Sequence, residues 1–498
     1  VKPQIDELFV SGINHVFYHG VTYSPPEKEF PGRLFYASIN FGLSSHFWNE
    51  LPLLNKYVAN CQSILQETKP DNDILLYFAI HDIWSGLNEK NLIRLFDVHH
   101  SGSWLRSKAT GMLAQKLWDK GYSFDYISDR GLLNDVSSDG QSLWSGSIQY
   151  KTVIIPAVSQ IPVETLRQLL ALAKKGAIVC FESAIPEDVP GLYEVEKRQQ
   201  ELKVLKAELM ALPNVKIVSD VCAGLQQGMF PMEMMADKGL DFIRKKDSGK
   251  VVYFITNLNN RFNEGWIELS KGKKHVELYD VQNDLRGEAM HKEEKIFLQL
   301  RPGMSCFAIC SDEPAAHQKY RYYRSQGNPV DLSYGWSLSA VKGDPALPPD
   351  ILTDTLKSWT EYGAAFLHFS GTIRYTKEFE LTDEFLQQDA WRLEIEQIKE
   401  TAEVIVNNEK VGTIWSVPGS IYIPRQLLKR KNKIELNVPN TSFNRVIDLE
   451  QQQKPWKNFH EINFVNIRYE PFDASDKAPV PSGIIGKVSL FPCYIVCD

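Results

Sequence analysis

Apolar and polar positions fall into separate regimes along the chain. Residues 70–235 alternate short continuous apolar runs with stretches of helical spacing. Asp73–Ala79, Phe124–Ile127, Lys151–Pro156, Ala177–Phe181 and Val215–Val218 read as strands, the most apolar of them covered on both faces. Between them, Ser107–Lys120, Val163–Lys175 and Glu194–Leu212 carry apolar stripes one helical turn apart, and Gly176 stands where glycine ends helices. This alternation predicts a mostly parallel sheet in a flavodoxin-like three-layer domain. Residues 250–311 switch to short strands separated by polar turns, the pattern of a small β-sandwich. From residue 366 onward the period is two: Ile373, Tyr375, Phe379 and Leu381, then Ala402, Val404 and Val406, then Ile434, Leu436 and Val438. That alternation predicts an antiparallel sandwich with one face of each sheet wet. The polar stretch 312–365 reads as irregular, wrapping against other domains and anchored by Trp336 and Trp359.

The first 66 residues read differently. Lys2–Val10 is expected to be a helix, Asn14–His19 a short strand, and Leu53–Gln66 a helix with Leu54, Val58, Cys61 and Leu65 on one face. The long loop between strand and helix is of a length that compact domains usually use for function. An apolar run that delivers His19 at its end, then turns through Gly20, Tyr23 and Pro25, is how α/β barrels present chemistry. With no initiator Met before Val1, the chain is expected to begin inside such a domain. The expected division is therefore 1–66, the incomplete end of a (β/α)8 barrel; 67–235, the α/β domain; 236–325, the small sandwich; and 326–498, the second sandwich.

Composition narrows the function. A chain of 498 residues exceeds what one core supports, and 43% hydrophobic with 23% charged residues is ordinary for a globular protein. A net charge of −7 without a basic block argues against nucleic acid as a partner. No apolar run approaches the roughly 20 residues that span a bilayer, so no membrane partner is expected. The seven cysteines are scattered without a Cys-x-x-Cys pair and read as buried inert thiols rather than a metal site. No phosphate-binding glycine fingerprint follows any strand of the α/β region, which disfavours a nucleotide or flavin. Aromatic residues reach 11%, mildly favouring carbohydrate, whose C–H faces stack on rings.

Particular residues carry a resemblance. Asn14-His-Val-Phe-Tyr-His-Gly20, Tyr23-Ser-Pro25, Pro31-Gly32 and Phe35-Tyr-Ala-Ser38 resemble the late barrel segment of the large α-L-rhamnosidases of glycoside hydrolase family 106. Phe47-Trp48-Asn49, Asn55, Tyr57, Gln62, Tyr77, Asp82-Ile83-Trp84, Asp125-Tyr-Ile127 and Asp129 continue the similarity. Gly371–Tyr375, Thr401–Val404, Asn407, Val411-Gly412, Trp415, Pro418, Asn437–Asn440 and Asn444-Arg445 are similar to the galactose-binding-like jelly roll of many exo-glycosidases, and Pro481–Gly486 to the family's late loop. The resemblance implies a multidomain α/β plus all-β protein with a (β/α)8 catalytic barrel, a flavodoxin-like or glutamine-amidotransferase-like α/β domain and a jelly roll. It implies inverting hydrolysis of terminal α-L-rhamnosyl linkages by two Glu residues, both expected upstream of Val1, with calcium linked to the active site. Its implied partner is a rhamnose-containing oligo- or polysaccharide, and its implied location periplasmic or extracellular.

Within the chain, His19 is the leading site candidate, placed to bond a sugar hydroxyl or orient a carboxylate, or else packed against a carbonyl. Asn14, Tyr18 and Tyr23 are candidate sugar contacts, and Trp48 a candidate platform for a deoxy sugar's apolar face; core packing is the alternative for each aromatic. Glu27 and Glu29 read as solvated charge, and Glu50 as a helix-start residue or an active-site group. His15 reads as core, His99-His100 as a loop pair, and Trp415 as packing. His81, Asp82 and Trp84 follow the first strand of the α/β sheet, where ligands gather in such folds. The competing functions are a non-catalytic carbohydrate-binding or scaffold fragment, another exo-glycosidase such as a β-galactosidase-like enzyme, and, least favoured, an electron carrier.

Overall fold

The computed structural model describes all residues except 26, 29, 36–39, 86–100, 229, 231, 315–317, 459–464, 467 and 497–498. Glu29, Tyr36-Ala-Ser38, His99-His100 and Cys497 lie outside the described residues. The chain is a multidomain α/β and β-rich protein.

The central α/β sheet holds five parallel strands in the spatial order Phe124–Ile127, Ile74–Tyr77, Thr152–Ile155, Ile178–Glu182, Val215–Val218. In chain order that is 2-1-3-4-5, the doubly wound arrangement. Ile74–Tyr77 and Thr152–Ile155 are buried at every position, as their unbroken apolar runs require. Helices Ala109–Asp119, Val163–Lys174 and Val195–Met210 form where the stripes predicted them. Gly176, at φ +101°, ends the second, and a Cβ there would meet the Gly140 carbonyl oxygen at 2.5 Å.

The next unit is a six-stranded sheet in the order Lys69–Pro70, Asp241–Asp247, Lys250–Thr256, Ser305–Ser311, His275–Asp280, Leu285–Glu288. A three-stranded sheet around Asn263–Glu268 and Lys295–Leu300 covers one face. Two helices, α1 (Lys2–Val10) and α2 (Leu51–Glu67), cover the other. Alternation along Lys250–Thr256 sorts the side chains: Tyr253 and Ile255 face the small sheet, while Val252 and Phe254 meet Phe9, Leu54 and Val58. A strand buried on both sides has no polar alternation, which accounts for the unbroken run Val251–Ile255.

The strand expected at Asn14–His19 does not form. Its backbone is met by side chains of α2 instead of a neighbouring strand. Gln62 Oε1 accepts from the Val16 N–H at 2.6 Å, Gln66 Nε2 donates to the Asn14 carbonyl at 2.7 Å, and the Tyr18 hydroxyl donates to Asn55 at 3.0 Å. Among the described residues the first 66 contribute helices and no strand, and no closed barrel of parallel strands is present.

The carboxyl-terminal unit packs a six-stranded sheet (Ile351–Thr353, Trp336–Asp344, Ser370–Glu380, Lys431–Pro439, Ala402–Val406, Glu409–Ile414) on a second sheet built around Ala390–Lys399 and Gly483–Val496. The stretch expected to be irregular belongs partly to it. Trp336 and Leu338 point inward from a strand whose alternation is short, broken by a bulge between Ala340 and Lys342, and Trp336 and Trp359 are fully buried anchors. The six described cysteines are free and buried.

Two buried polar clusters tie these units together. Lys2 Nζ contacts Asp6 Oδ2 at 2.8 Å, the Gly303 carbonyl at 2.8 Å and Ser305 Oγ at 3.0 Å, while the Tyr57 hydroxyl donates to Asp6 Oδ1. Arg244 joins the α/β unit to the six-stranded sheet through Asp71, Asp73 and Glu233. Burial pushes the Asp71 and Asp73 carboxyls up, but the Lys271 and Arg244 charges outweigh it and hold both below the ordinary range.

Replacing one partner of a buried pair strands the other charge, at a cost of about 3–5 kcal/mol. Asp6→Ala is therefore expected to lower stability by about that amount in a denaturant titration. The Arg244 cluster predicts an acid dependence. Because folding depresses the two aspartates, their stabilisation is complete above their unfolded values and is lost as pH falls through the folded ones. Unfolding followed by circular dichroism below about pH 4 should show that loss, and Arg244→Met should flatten it.

Candidate functional site

A cavity of about 950 Å³ opens where three parts of the chain meet. One wall is the approach to α2, with His46, Asn49 and Glu50. A second comes from the six-stranded unit, with Asp280 and Arg301. The third is the polar face of the sandwich, with Glu403, Trp415, Tyr422 and Asn437. The volume lies within the roughly 300–1,000 Å³ of small-molecule sites.

The position of Glu50 follows from the packing of α2. Leu54, Tyr57, Val58, Cys61 and Leu65 seat the helix on the sheet, so the residue just before its first turn is held against the cavity. Glu50 occupies the N-cap position, yet its side chain makes no capping hydrogen bond. It is only 8% exposed, and its Oε2 has no hydrogen-bond partner. Burial raises its carboxyl above the ordinary range; its own backbone N–H, His46 and Lys342 oppose that, and Glu403 adds to it. Burial thus disfavours the charged form, and Oε2 keeps hydrogen-bonding capacity to spare.

The neighbouring carboxylates are differently placed. Glu403 receives Lys410 Nζ at 2.7 Å and Asn437 Nδ2 at 2.8 Å, which hold it below the usual range. Asp280 is buried and accepts from the Asn283 backbone and side chain at 3.1 and 2.7 Å; burial nevertheless raises it. Asp344 pairs with Arg445, and His46 Nε2 lies 3.2 Å from Glu400. Aromatic surface completes the wall: the Tyr323 and Tyr422 rings stack at 4.0 Å, and Trp415 rests against Tyr57 at 6.0 Å.

None of the five sugar-contact candidates lines this cavity. His19 and Tyr23 are exposed, Trp48 is exposed although the next two residues line the cavity, and Tyr18 and Asn14 are half-buried against α2. The structure brings Tyr18 and Asn14 together against one helix, α2, and leaves His19, Tyr23 and Trp48 exposed. His81 lies 3.5 Å from Asp129, which also accepts from Tyr77 and Thr165, while Asp82 accepts from the backbone of Ser159 and Gln160. These contacts knit the carboxyl edge of the parallel sheet. Among the described residues no three His, Cys, Asp or Glu side chains converge as a metal would require, so the calcium implied by the resemblance finds no such donor set. No described helix is long and apolar enough to cross a membrane.

Glu403, Asn437 and Lys410 were not singled out from the sequence for chemistry. Glu403 and Asn437 occupy the polar positions of Ala402–Val406 and Lys431–Pro439, on adjacent strands. Paired polar residues on the wet face of a sandwich are the available signal, and it does not tell a site from a solvated face.

Comparison with known proteins gives a consistent likeness. Residues 106–290 match the family model described as alpha-L-rhamnosidase. The fold matches a rhamnosidase from Novosphingobium sp. PP1Y with a TM-score of 0.70 at 21% identity, over 98% of this chain and 45% of that one. A putative beta-glucuronidase from Formosa agariphila is 30% identical over 136 residues, 26% of this chain and 11% of that protein. The chain thus spans under half the length of either relative. The chain is similar to the alpha-L-rhamnosidase family in sequence across residues 106–290, and its fold follows that of the Novosphingobium rhamnosidase across nearly its whole length.

The pairing at Glu403 yields a measurable consequence. Lys410→Met removes the cation that most depresses this carboxyl, so its titration, followed by carbon NMR of the side-chain carboxyl, is expected to move upward toward the ordinary value of about 4.3.

Proposed function

We propose that this chain is the carboxyl-terminal part of a glycoside hydrolase that removes terminal α-L-rhamnosyl residues from glycans or glycosides. The observation that carries the reading is the family match over residues 106–290, in a chain whose fold follows a rhamnosidase nearly throughout. In this reading the catalytic pair belongs to a (β/α)8 barrel upstream. Inversion there needs two carboxyl groups about 6.5–9.5 Å apart with room for water. The first 66 residues would complete the barrel's rim. Large exposed apolar side chains in that segment, among them Phe17, Tyr23, Leu43 and Trp48, support a covering partner there, with His19, Tyr23 and Trp48 reaching the sugar and Asn14 and Tyr18 bracing the segment. The sandwich would act as a jelly-roll accessory domain. The substrate is a rhamnose-containing oligo- or polysaccharide, met in the periplasm or outside the cell.

The match to a putative beta-glucuronidase favours a second reading, hydrolysis of a β-glucuronide. One experiment separates the two. The full-length protein containing this chain is assayed on aryl α-L-rhamnoside, aryl β-D-glucuronide and aryl β-D-galactoside. Rhamnoside is expected to be cleaved roughly a hundredfold or more faster than the others, the scale on which a site built for particular hydroxyls discriminates. NMR of the released sugar should show the inverted anomer first. Preferred cleavage of the glucuronide or galactoside would replace the rhamnosidase reading.

A further inference from the structure

Glu50 is a side chain that neither the folding contacts nor the upstream chemistry uses. It lines a cavity of about 950 Å³, is 8% exposed, and keeps Oε2 without a partner. A buried polar atom left unmatched is costly, so natural proteins rarely keep one without a use. The surrounding carboxylates are already satisfied: Glu403 by Lys410 and Asn437, Asp280 by Asn283, Asp344 by Arg445, Glu400 by His46. Lys342 and Arg321, both exposed, stand where the cavity meets solvent. What the interior presents is therefore a nearly neutral wall: one carboxyl with hydrogen-bonding capacity to spare, the half-buried amide of Gln282, the Arg301 guanidinium 3.9 Å from Glu394, and the ring surfaces of Trp415 and Tyr422. That combination complements a ligand with several hydroxyls, no charge and an apolar ring face.

We propose that this cavity binds a neutral pyranosyl unit, one ring hydroxyl meeting the unpartnered oxygen of Glu50 and one ring face resting on Trp415. In this arrangement it holds a glycan chain between the six-stranded unit and the sandwich. The cavity and Glu50 stand on geometry; only the choice of rhamnose as the first sugar rests on the function proposed above.

The test is calorimetric titration of the full-length protein containing this chain with methyl α-L-rhamnoside, methyl α-D-mannoside, methyl β-D-galactoside and D-glucuronate, read as the part of the binding that Glu50 and Trp415 variants remove. Saturable binding of a neutral sugar is expected. Glu50→Leu should weaken it roughly tenfold or more, and Glu50→Gln, which still offers a donor and an acceptor, by a few-fold at most. Without sugar, Glu50→Leu should melt at a higher temperature than the parent, because it removes the unmatched group; a purely structural glutamate would give the reverse. Trp415→Phe, on another wall, gives an independent reading and should weaken binding several-fold. Binding untouched by Glu50→Leu and Trp415→Phe, no saturation with any neutral sugar, or preference for glucuronate would overturn the proposal. Glu50-dependent binding of mannoside or galactoside without rhamnoside would sustain the cavity and count against rhamnose.

Discussion

The arrangement of the amino-terminal half depends on one buried ion pair. Lys2 and Asp6 sit one turn apart on α1, with side chains shielded completely from solvent. Desolvating two charges is expensive, and the expense is recovered only if every remaining lone pair and proton is met. Here Gly303, Ser305 and Tyr57 meet them. Those partners belong to a strand and its preceding turn on the sheet and to α2, so satisfying the pair fixes both helices against the same surface. Glu50, at the start of α2, inherits its position from that constraint.

The second constraint is the guanidinium of Arg244, only 1% exposed and shared among three carboxylates from the linker before the parallel sheet and the turn after it. It sets how the parallel sheet meets the antiparallel one. The two clusters work alike: hydrophobic faces supply most of the burial, and a few matched charges specify which surfaces adjoin.

Much of the fold was legible because its signals are local. Continuous apolar runs and one-turn stripes located all five parallel strands and the three longest helices of that unit, and period-two alternation located the central strands of one sandwich sheet, while Ala390–Lys399 and Gly483–Val496 of the other went unread. Misreadings arose where the partner of a segment is remote. Asn14–His19 looks like a strand, but no neighbouring strand pairs with it, and the side chains of α2 satisfy its backbone instead. Trp336–Asp344 looks irregular because its alternation runs only to Ala340, where a bulge before Lys342 shifts the register. The cavity was not legible at all. Its walls come from residues near 46, 280, 320, 403 and 437, and no window of sequence brings those together. Glu50 could be weighed only as a helix-start residue or a site group, because the absence of a capping bond is visible only in three dimensions.

The sheet that carries Val252 and Phe254 on one side and Tyr253 and Ile255 on the other is a shared wall, dry on both surfaces. Sliding either covering layer would expose apolar groups over the whole contact at once. The helical layer and the strands beneath it therefore behave as a single stiff slab. A displacement of the amino-terminal helices would carry the strands beneath them along, together with the cavity wall at the start of α2.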